Sequence, residues 1–455
     1  MLVVLSDLHF SEAQSTQIGG HRFNRNLPAE AYRAYFSELN QFAKANQVDK
    51  VDLVLAGDTL EISRSGIWLE GEQRPYINND AVEPGSEVEA VILKILEAIA
   101  DEEKVKETLE AFQNLGDFFD MKVDLHIILG NHDRLANATP EIRKRVREMF
   151  GINGSSDRID NFYVFKDDGG NPFCLVRHGH EYDPTNFSIN IRKMETIPTA
   201  FPLAAYDKAV LGDITTSEFG AALSHLFIVE HGEETILESK KRMALYQRLM
   251  EFDDVRPTTA WLAYLFSTPG VNKEKTWKLI KPAFTKIINT LAYHKEFHNT
   301  LKQSDALSPL IRILLLGILR SGIFSQGVPY WLMKRIMKIV SRNIKVKSQV
   351  KWAKRELLVN GVEATCNCVI SGHTHFAEVS LITEKKGKEQ YYINTGTWRN
   401  VIPATRKFKH FGRLKALTKV ILFYPEEKEE LGNNRDWAFQ YMSGVSFGNH
   451  RHLQS

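Results

Sequence analysis

Only three cysteines occur among the 455 residues: Cys174, Cys366 and Cys368. Each falls on or beside an apolar, strand-like run, so buried thiols in a reducing compartment are expected rather than a disulfide framework. Long apolar runs are also missing. The nearest candidate, residues 313–319, is bounded by Arg312 and Arg320, so no transmembrane helix is expected. No basic and apolar leader precedes the first strand-like run at Leu2, so no signal peptide is expected, and the expected location is cytoplasmic. An excess of charge of one sign is lacking too: the formal net charge of +2 gives no argument for nucleic acid as a partner. There is no internal repeat and no low-complexity tract. The apolar content is that of an ordinary globular enzyme.

What is present is a set of five short segments, each just after an apolar run. They are Asp7-Leu8-His9, Gly57-Asp58, Gly130-Asn131-His132-Asp133, His178-Gly179-His180 and Gly372-His373-Thr374-His375. The runs before them are residues 2–5, 51–56, 123–129, 173–176 and 368–370. In an open α/β sheet chemistry gathers outside the carboxyl ends of the strands, so five such ends can converge on one site. The set offers seven plausible ligands, a mixture of O and N donors without thiolate. That suits a pair of divalent cations such as Mn, Fe or Zn better than a structural zinc. Any one segment alone would pass for a strand-end turn, and Gly130-Asn131-His132-Asp133 for an Asn/Asp-rich one. Five in this order carry the argument.

The set resembles the calcineurin-like metallophosphoesterases, whose pattern runs D-x-H, G-D, G-N-H-D/E, H-G or G-H, and G-H-x-H. The resemblance covers about the first 184 residues and the segment from about 360 to 400. It implies a four-layer α/β/β/α sandwich and a binuclear centre. Asp7, His9 and His375 would hold one metal, Asn131, His178 and His373 the other, and Asp58 would bridge both. His132 would face the substrate as a general acid, with Asp133 behind it to orient the ring. Glu61, Glu181 and Asp183 are candidates to hold the second nitrogens of the ligand imidazoles. His180, Arg134, Arg74 and Tyr76 are the candidates for substrate contact, the last two on a Gly/Pro/Asn-containing loop directly after Asp58. Asn394-Thr395-Gly396-Thr397-Trp398 resembles the N-T-G-S-type segment of the family and is expected to pack beneath the ligands.

The motifs divide the chain into residues 1–184, a first part of the core; 185–359, an all-helical cap insertion punctuated by prolines; and 360–455, the second part of the core and a polar tail. Between Ala306 and Arg355 there is no Asp or Glu, while eleven Lys and Arg occur. Leu332, Ile336, Val340 and Ile344 recur on one side of a helix, and Lys334, Lys338, Arg342 and Lys345 on the other. The plain reading is an apolar face packed on its own domain beneath a solvated basic face. The functional reading is peripheral contact with an anionic membrane, on the inner face, through residues 306–355.

These features favour a phosphohydrolase in which a metal-activated water attacks a phosphoester or pyrophosphate, in an amphiphilic or lipid-linked substrate. A nuclease or cyclic-nucleotide phosphodiesterase is the alternative, although Phe324, Tyr330, Trp331 and Trp352 are too few and irregular for a base-stacking platform. An inactive, metal-retaining scaffold is the third reading, and the intact His132 argues against it.

Overall fold

The computed structural model describes the chain except for residues 24, 154, 168, 304–316, 318–326, 336–347, 362–364, 386–387, 406–407, 424–436 and 447–455. In chain order the described strands are β1 (Leu2–Leu5), β2 (Gln17–Ile18), β3 (His21–Arg22), β4 (Lys50–Ala56), β5 (Lys122–Ile128), β6 (Phe162–Lys166), β7 (Pro172–Arg177), β8 (Val255–Arg256), β9 (Cys368–Ser371), β10 (Ala377–Lys385), β11 (Lys388–Thr395), β12 (Asn400–Pro403), β13 (Leu414–Phe423) and β14 (Ala438–Ser446). They form two mixed sheets, β5-β4-β1-β13-β12-β8 with β14 also on β13, and β10-β11-β9-β7-β6, beside the small β2-β3 ribbon.

The period of two in the apolar runs explains the layering. Leu2, Val4, Val54 and Ala56 of the first sheet meet Cys174, Val176, Cys368 and Ile370 of the second in a seam between the sheets. The alternate residues Val3, Leu5, Leu53 and Leu55 face the other way, into a core shared with α1 (Ala29–Ala45), α2 (Glu87–Asp101), α3 (Glu103–Gln113) and α4 (Pro140–Met149). On the outer face of the second sheet, Leu175, Val369 and Tyr392 pack against Ala353 and Val359. The result is the expected four-layer α/β/β/α sandwich, with all three cysteines buried and free.

Within α1, Tyr32, Phe36, Leu39 and Ala43 recur at helical spacing and are buried. Tyr32 stacks on Trp398 with ring centroids 5.2 Å apart. The strands that carry the motifs run side by side in parallel: β1 with β4, β4 with β5, and β7 with β9. Their carboxyl ends therefore open on one rim.

Among the described residues, the regular elements of the segment from 185 to 359 are helices apart from one strand and an isolated bridge between Ile197 and Glu356. It contains α5 (Leu203–Asp207), then α6 (Leu211–Ile214) running through a π-helical turn, Thr215–Ala222, into α7 (Leu223–His231). It continues with α8 (Glu233–Glu238), α9 (Lys240–Met250), α10 (Trp261–Leu265), α11 (Lys273–Tyr293) and α12 (Lys295–Gln303). The strand is β8, which pairs in parallel with β12 through Val255 opposite Ile402 and Arg256 opposite Pro403. An all-helical insertion is thus amended: the segment lends an edge strand to the first sheet. Its apolar core, including Leu223, Phe227, Leu249 and Ile287, also takes in Ile18, Tyr76 and Ile402 from outside the segment.

Of the amphipathic basic helix, Leu332 and Lys334 are described; Ile336, Lys338, Val340, Arg342, Ile344 and Lys345 lie outside the described residues. Leu332 packs against the cluster of Phe266, Trp277, Val328 and Met333, and Lys334 is exposed. No helix among the described residues is long and apolar enough to cross a membrane.

Candidate metal centre

The five motifs meet at the rim, and the backbone there is unusual. Asp7, His9, Asp58, His373 and His375 all have φ between 50° and 69°, in the left-handed region. Such residues other than glycine are uncommon and cost free energy, so surrounding structure must hold them. Here crossed backbone bonds do so: Asp7 N–H donates to Gly57 O at 3.0 Å, and His9 N–H to Asp58 O at 2.9 Å. Two motif glycines are required by close approach. A Cβ on Gly130 would stand 2.2 Å from Asp58 Oδ1, and one on Gly372 would stand 2.3 Å from Asp7 Oδ2.

Of the three clusters of donor atoms among the described residues, one joins His9, Glu61 and His132, and two gather the expected ligands. Those of Asp7, His9 and His375 all lie within 4.8 Å of one another, and so do those of Asp58, His178 and His373. Asp58 Oδ2 faces both groups, 3.1 Å from His178 Nε2 and 3.9 Å from His9 Nε2, while its Oδ1 accepts from His132 N–H at 2.8 Å. Asp7 is divided similarly. Its Oδ2 accepts from Ser6 Oγ and from His373 N–H at 3.0 Å, and its Oδ1 lies 3.1 Å from His375 Nε2. Asn131 turns its Nδ2 toward Asn186 Oδ1 at 3.5 Å. Asp7 Oδ1, Asn131 Oδ1 and His178 Nε2 are all buried without a hydrogen bond among the described residues.

The far nitrogens of the imidazoles are tied down. His178 Nδ1 meets Ala56 O at 2.9 Å, and His9 Nδ1 meets Glu61 Oε2 at 2.8 Å, so each ring presents Nε2 to the centre. His373 Nε2 lies 3.4 Å from Asp183 Oδ2. Beneath the ligands, Thr397 Oγ1 donates to Asp7 O at 2.7 Å and Asn394 Nδ2 to Gly372 O at 2.7 Å, as expected of the 394–398 segment.

Burial alone would raise the carboxylates, but the imidazoles reverse this. His375 holds Asp7, and His178 holds Asp58, well below the usual carboxylate range. Glu61 is held at about 2, against its burial, by His132 and His9. His132 is in turn pushed up to about 10, against its burial, by Glu61 and Asp58. Burial and the charge of Arg256 push His375 well down.

Several expected roles are corrected by these contacts. Asp133 does not stand behind His132: its carboxylate accepts from Thr59 N–H at 2.8 Å and Gly130 N–H at 2.5 Å, holding the turn. Glu61 orients His132 instead, through Nδ1, and joins it to His9. Arg134 is buried, and its two Nη atoms donate to Pro75 O, Ile77 O, Asn79 Oδ1, Asp207 O and Asp213 Oδ2, so it fastens the loop after Asp58 to the insertion. Arg74 binds the carbonyls of Trp68, Gly71 and Gln73, and Tyr76 is buried with its hydroxyl on Glu218. These three are structural. His180 is buried between Phe187 and Tyr206, and burial pushes it down to about 4. It lies beside His178, ring centroids 5.4 Å apart, away from solvent.

Four residues at the rim carry no sequence signal at all: Arg256, Arg399, Asp253 and Asp254. Arg399 Nη2 pairs with Asp254 Oδ1 at 2.6 Å, and Asp253 lies between Arg25 and Arg64. Arg256 Nη2 meets His375 Nδ1. A cavity of about 420 Å³, lined by Gln14, Ile18, Gly220, Ser224 and Tyr246 among others, holds none of the seven candidate ligands.

A family model described as calcineurin-like phosphoesterase matches residues 1–242, which include the first four motifs. A crystal structure of a dimetal phosphatase from Danio rerio aligns over 92% of this chain and 94% of that one, at 9% identity and a TM-score of 0.20, a likeness too weak to bear on fold or function. No curated protein matches. With more than half its length matched and the motif residues gathered on one rim, the chain belongs to the calcineurin-like phosphoesterase family, and it is a metal-dependent hydrolase of phosphoesters.

Proposed function

We propose that the protein is a binuclear phosphohydrolase in which Asp7, His9 and His375 hold one divalent ion, Asn131, His178 and His373 hold a second, and Asp58 is shared. The observation that carries this reading is a trio of buried atoms without a hydrogen bond among the described residues, Asp7 Oδ1, Asn131 Oδ1 and His178 Nε2. Leaving a buried acceptor unsatisfied costs about 1–3 kcal/mol, and a cation at the centre removes that cost for all three. The donor set is oxygen and imidazole without thiolate, which suits Mn first and Fe or Zn next. Such a pair of ions, when bound, lowers the pKa of water and clamps the oxygens of an in-line displacement at phosphorus.

The chain's own residues supply the rest. Glu61 occupies Nδ1 of His132, which leaves Nε2 as the nitrogen able to give a proton to the departing oxygen. Asp133 fixes the turn that carries Asn131 and His132. Dialysis against a chelator followed by Mn tests the reading: hydrolysis of p-nitrophenyl phosphate should vanish and return. Turnover that persists in metal-free protein would contradict it.

The finer reading is an amphiphilic or lipid-linked substrate met at an anionic membrane surface, with the protein peripheral on the cytoplasmic face. It is supported by the acid-free, basic composition of residues 306–355. Trp331 is 59% exposed and Arg335 lies over its ring at 5.6 Å, a pairing suited to a headgroup layer. Co-sedimentation with anionic liposomes at low salt tests it; a protein that stays in the supernatant is not a surface binder.

A further inference from the structure

The cavity of about 420 Å³ lies in the seam between core and insertion, and its lining comes from both. Its size is that of a small-molecule site, about 300–1,000 Å³. The lining is fixed in place by buried side chains. Glu12 Oε1 accepts from Ser15 Oγ at 2.7 Å, Ser65 Oγ at 2.9 Å and Gly66 N–H at 3.0 Å, which joins the segment before β2 to the loop after Asp58. Arg64 Nε donates to Gly220 O at 3.1 Å and its Nη2 to Met250 O at 2.6 Å, which joins that loop to the insertion.

Two independent observations make this space more than a packing gap. The first is the π-helical turn Thr215–Ala222, whose Gly220 and Ala221 border it. Such turns are rare and concentrate at functional sites. The second is a set of lining polar groups without partners. Tyr246 is only 2% exposed, yet its hydroxyl makes no hydrogen bond with another described residue, and the same holds for the side chains of Gln14, Gln17 and His225. Ser224 Oγ donates to Ala221 O at 2.8 Å, which leaves its acceptor side unused. A buried polar group without a partner costs free energy that a bound molecule with matching groups removes.

The lining also defines the chemistry of that molecule. Arg64 is the one arginine or lysine among the described lining residues, and it is paired with Asp253. Glu233, also in the lining, is exposed and adds a negative charge at the mouth. Partial burial and the charge of Arg74 push His225 down, toward the neutral ring. An anion therefore finds no free counter-charge. Ile18, Ile228 and Met250 supply apolar surface between the polar groups. A flat heterocycle fits this alternation, with its faces on the thioether and the isoleucines and its edge toward the glutamines. An amide offers a donor and an acceptor side by side, the pattern that pairs with the edge of a base. A polyol turns hydroxyls in every direction and would leave some of them against apolar walls.

We propose that this cavity is a second binding site, separate from the metal centre, for an uncharged heterocycle of the nucleobase type. It requires neither turnover nor bound metal, so its failure would leave the hydrolase reading untouched. Calorimetric titration of the metal-free full chain with adenosine, cytidine, uridine, myo-inositol and inorganic phosphate tests it. At least one nucleoside should bind one to one, while myo-inositol and phosphate should not. Tyr246→Phe and Gln17→Ala should each weaken that nucleoside roughly 3–10-fold, the range of one neutral hydrogen bond. Ser224→Leu, which fills the cavity, should remove binding. Asp58→Asn should leave the affinity unchanged.

No nucleoside bound at millimolar concentration would overturn the proposal, and so would myo-inositol or phosphate held through the same residues. Affinity unchanged in both Tyr246→Phe and Gln17→Ala would place the nucleoside elsewhere on the molecule. Affinity lost in Asp58→Asn would place it at the metal centre. Either result ends the case for a second site. Should Ser224→Leu show no cooperative thermal transition, Tyr246→Phe and Gln17→Ala carry the comparison alone.

Discussion

Asp58 and Arg256 reach one centre from two regions that are built differently. Asp58 follows a seven-residue strand paired on both sides by parallel neighbours, and its own φ of 50° is held by the turns around it. Arg256 ends a two-residue strand at the sheet edge. In the first region the backbone does the placing, through left-handed residues and glycines that admit close approach. In the second, a side-chain network does it, with Asp253 and Asp254 reaching Arg25 and Arg399 across 228 and 145 residues of sequence. The lesson is that a strand end can specify a ligand locally, whereas an insertion must be fastened at long range before a side chain of it can reach the centre.

Breaking the first region should have the larger effect. Asp58→Asn should abolish turnover and lower metal content while the unfolding transition is kept, because the strand and its neighbours remain. Near-normal activity in this variant would separate Asp58 from the centre.

His132→Ala should keep both ions yet lose rate by about 10²–10⁴-fold, the usual contribution of a proton donor. The loss should shrink with p-nitrophenolate as the leaving group, which needs little protonation. An equal loss on an alkyl phosphate would assign His132 to positioning instead.

Asp253→Ala tests the second region. It strands the guanidiniums of Arg25 and Arg64 in the interior, and removing one member of a buried pair typically costs about 3–5 kcal/mol. Chemical denaturation should show that loss in a single transition covering core and insertion. A change below about 1 kcal/mol would mean the insertion behaves as a detachable lid.

The smallest effect per residue belongs to the basic, acid-free segment. Changing Lys334, Lys338, Arg342 and Lys345 together to Glu should abolish binding to anionic liposomes, at about 1 kcal/mol for each charge near the surface, while a small soluble phosphoester is still hydrolysed. Liposome binding that survives the change would remove these four residues from the contact.

The same contrast explains what could be read in advance. Val3, Leu5, Leu53 and Leu55 alternate with Leu2, Val4 and Val54, so both faces of the first sheet were legible from period two alone. The motif residues were legible because each sits within a few positions of its strand end. Asp133 and Glu61 were assigned in the wrong order, since adjacency in sequence favoured Asp133, while in space the turn points its carboxylate back at Thr59 and Gly130. Arg134, Arg74 and Tyr76 looked like substrate contacts because loops after a motif often are; here they tie the loop to the insertion, through Asp213 and Glu218. Nothing around Arg256 marked it, because its neighbours come from β12 and from His375, 119 residues away.

The central claim is that two cations occupy one centre and share Asp58. Anomalous diffraction from crystals of the manganese-loaded protein tests it most directly. Two anomalous peaks are predicted, one among Asp7, His9 and His375 and the other among Asn131, His178 and His373, with the Asp58 carboxylate between them. A single peak, or an Asp58 turned away from both, would contradict the account.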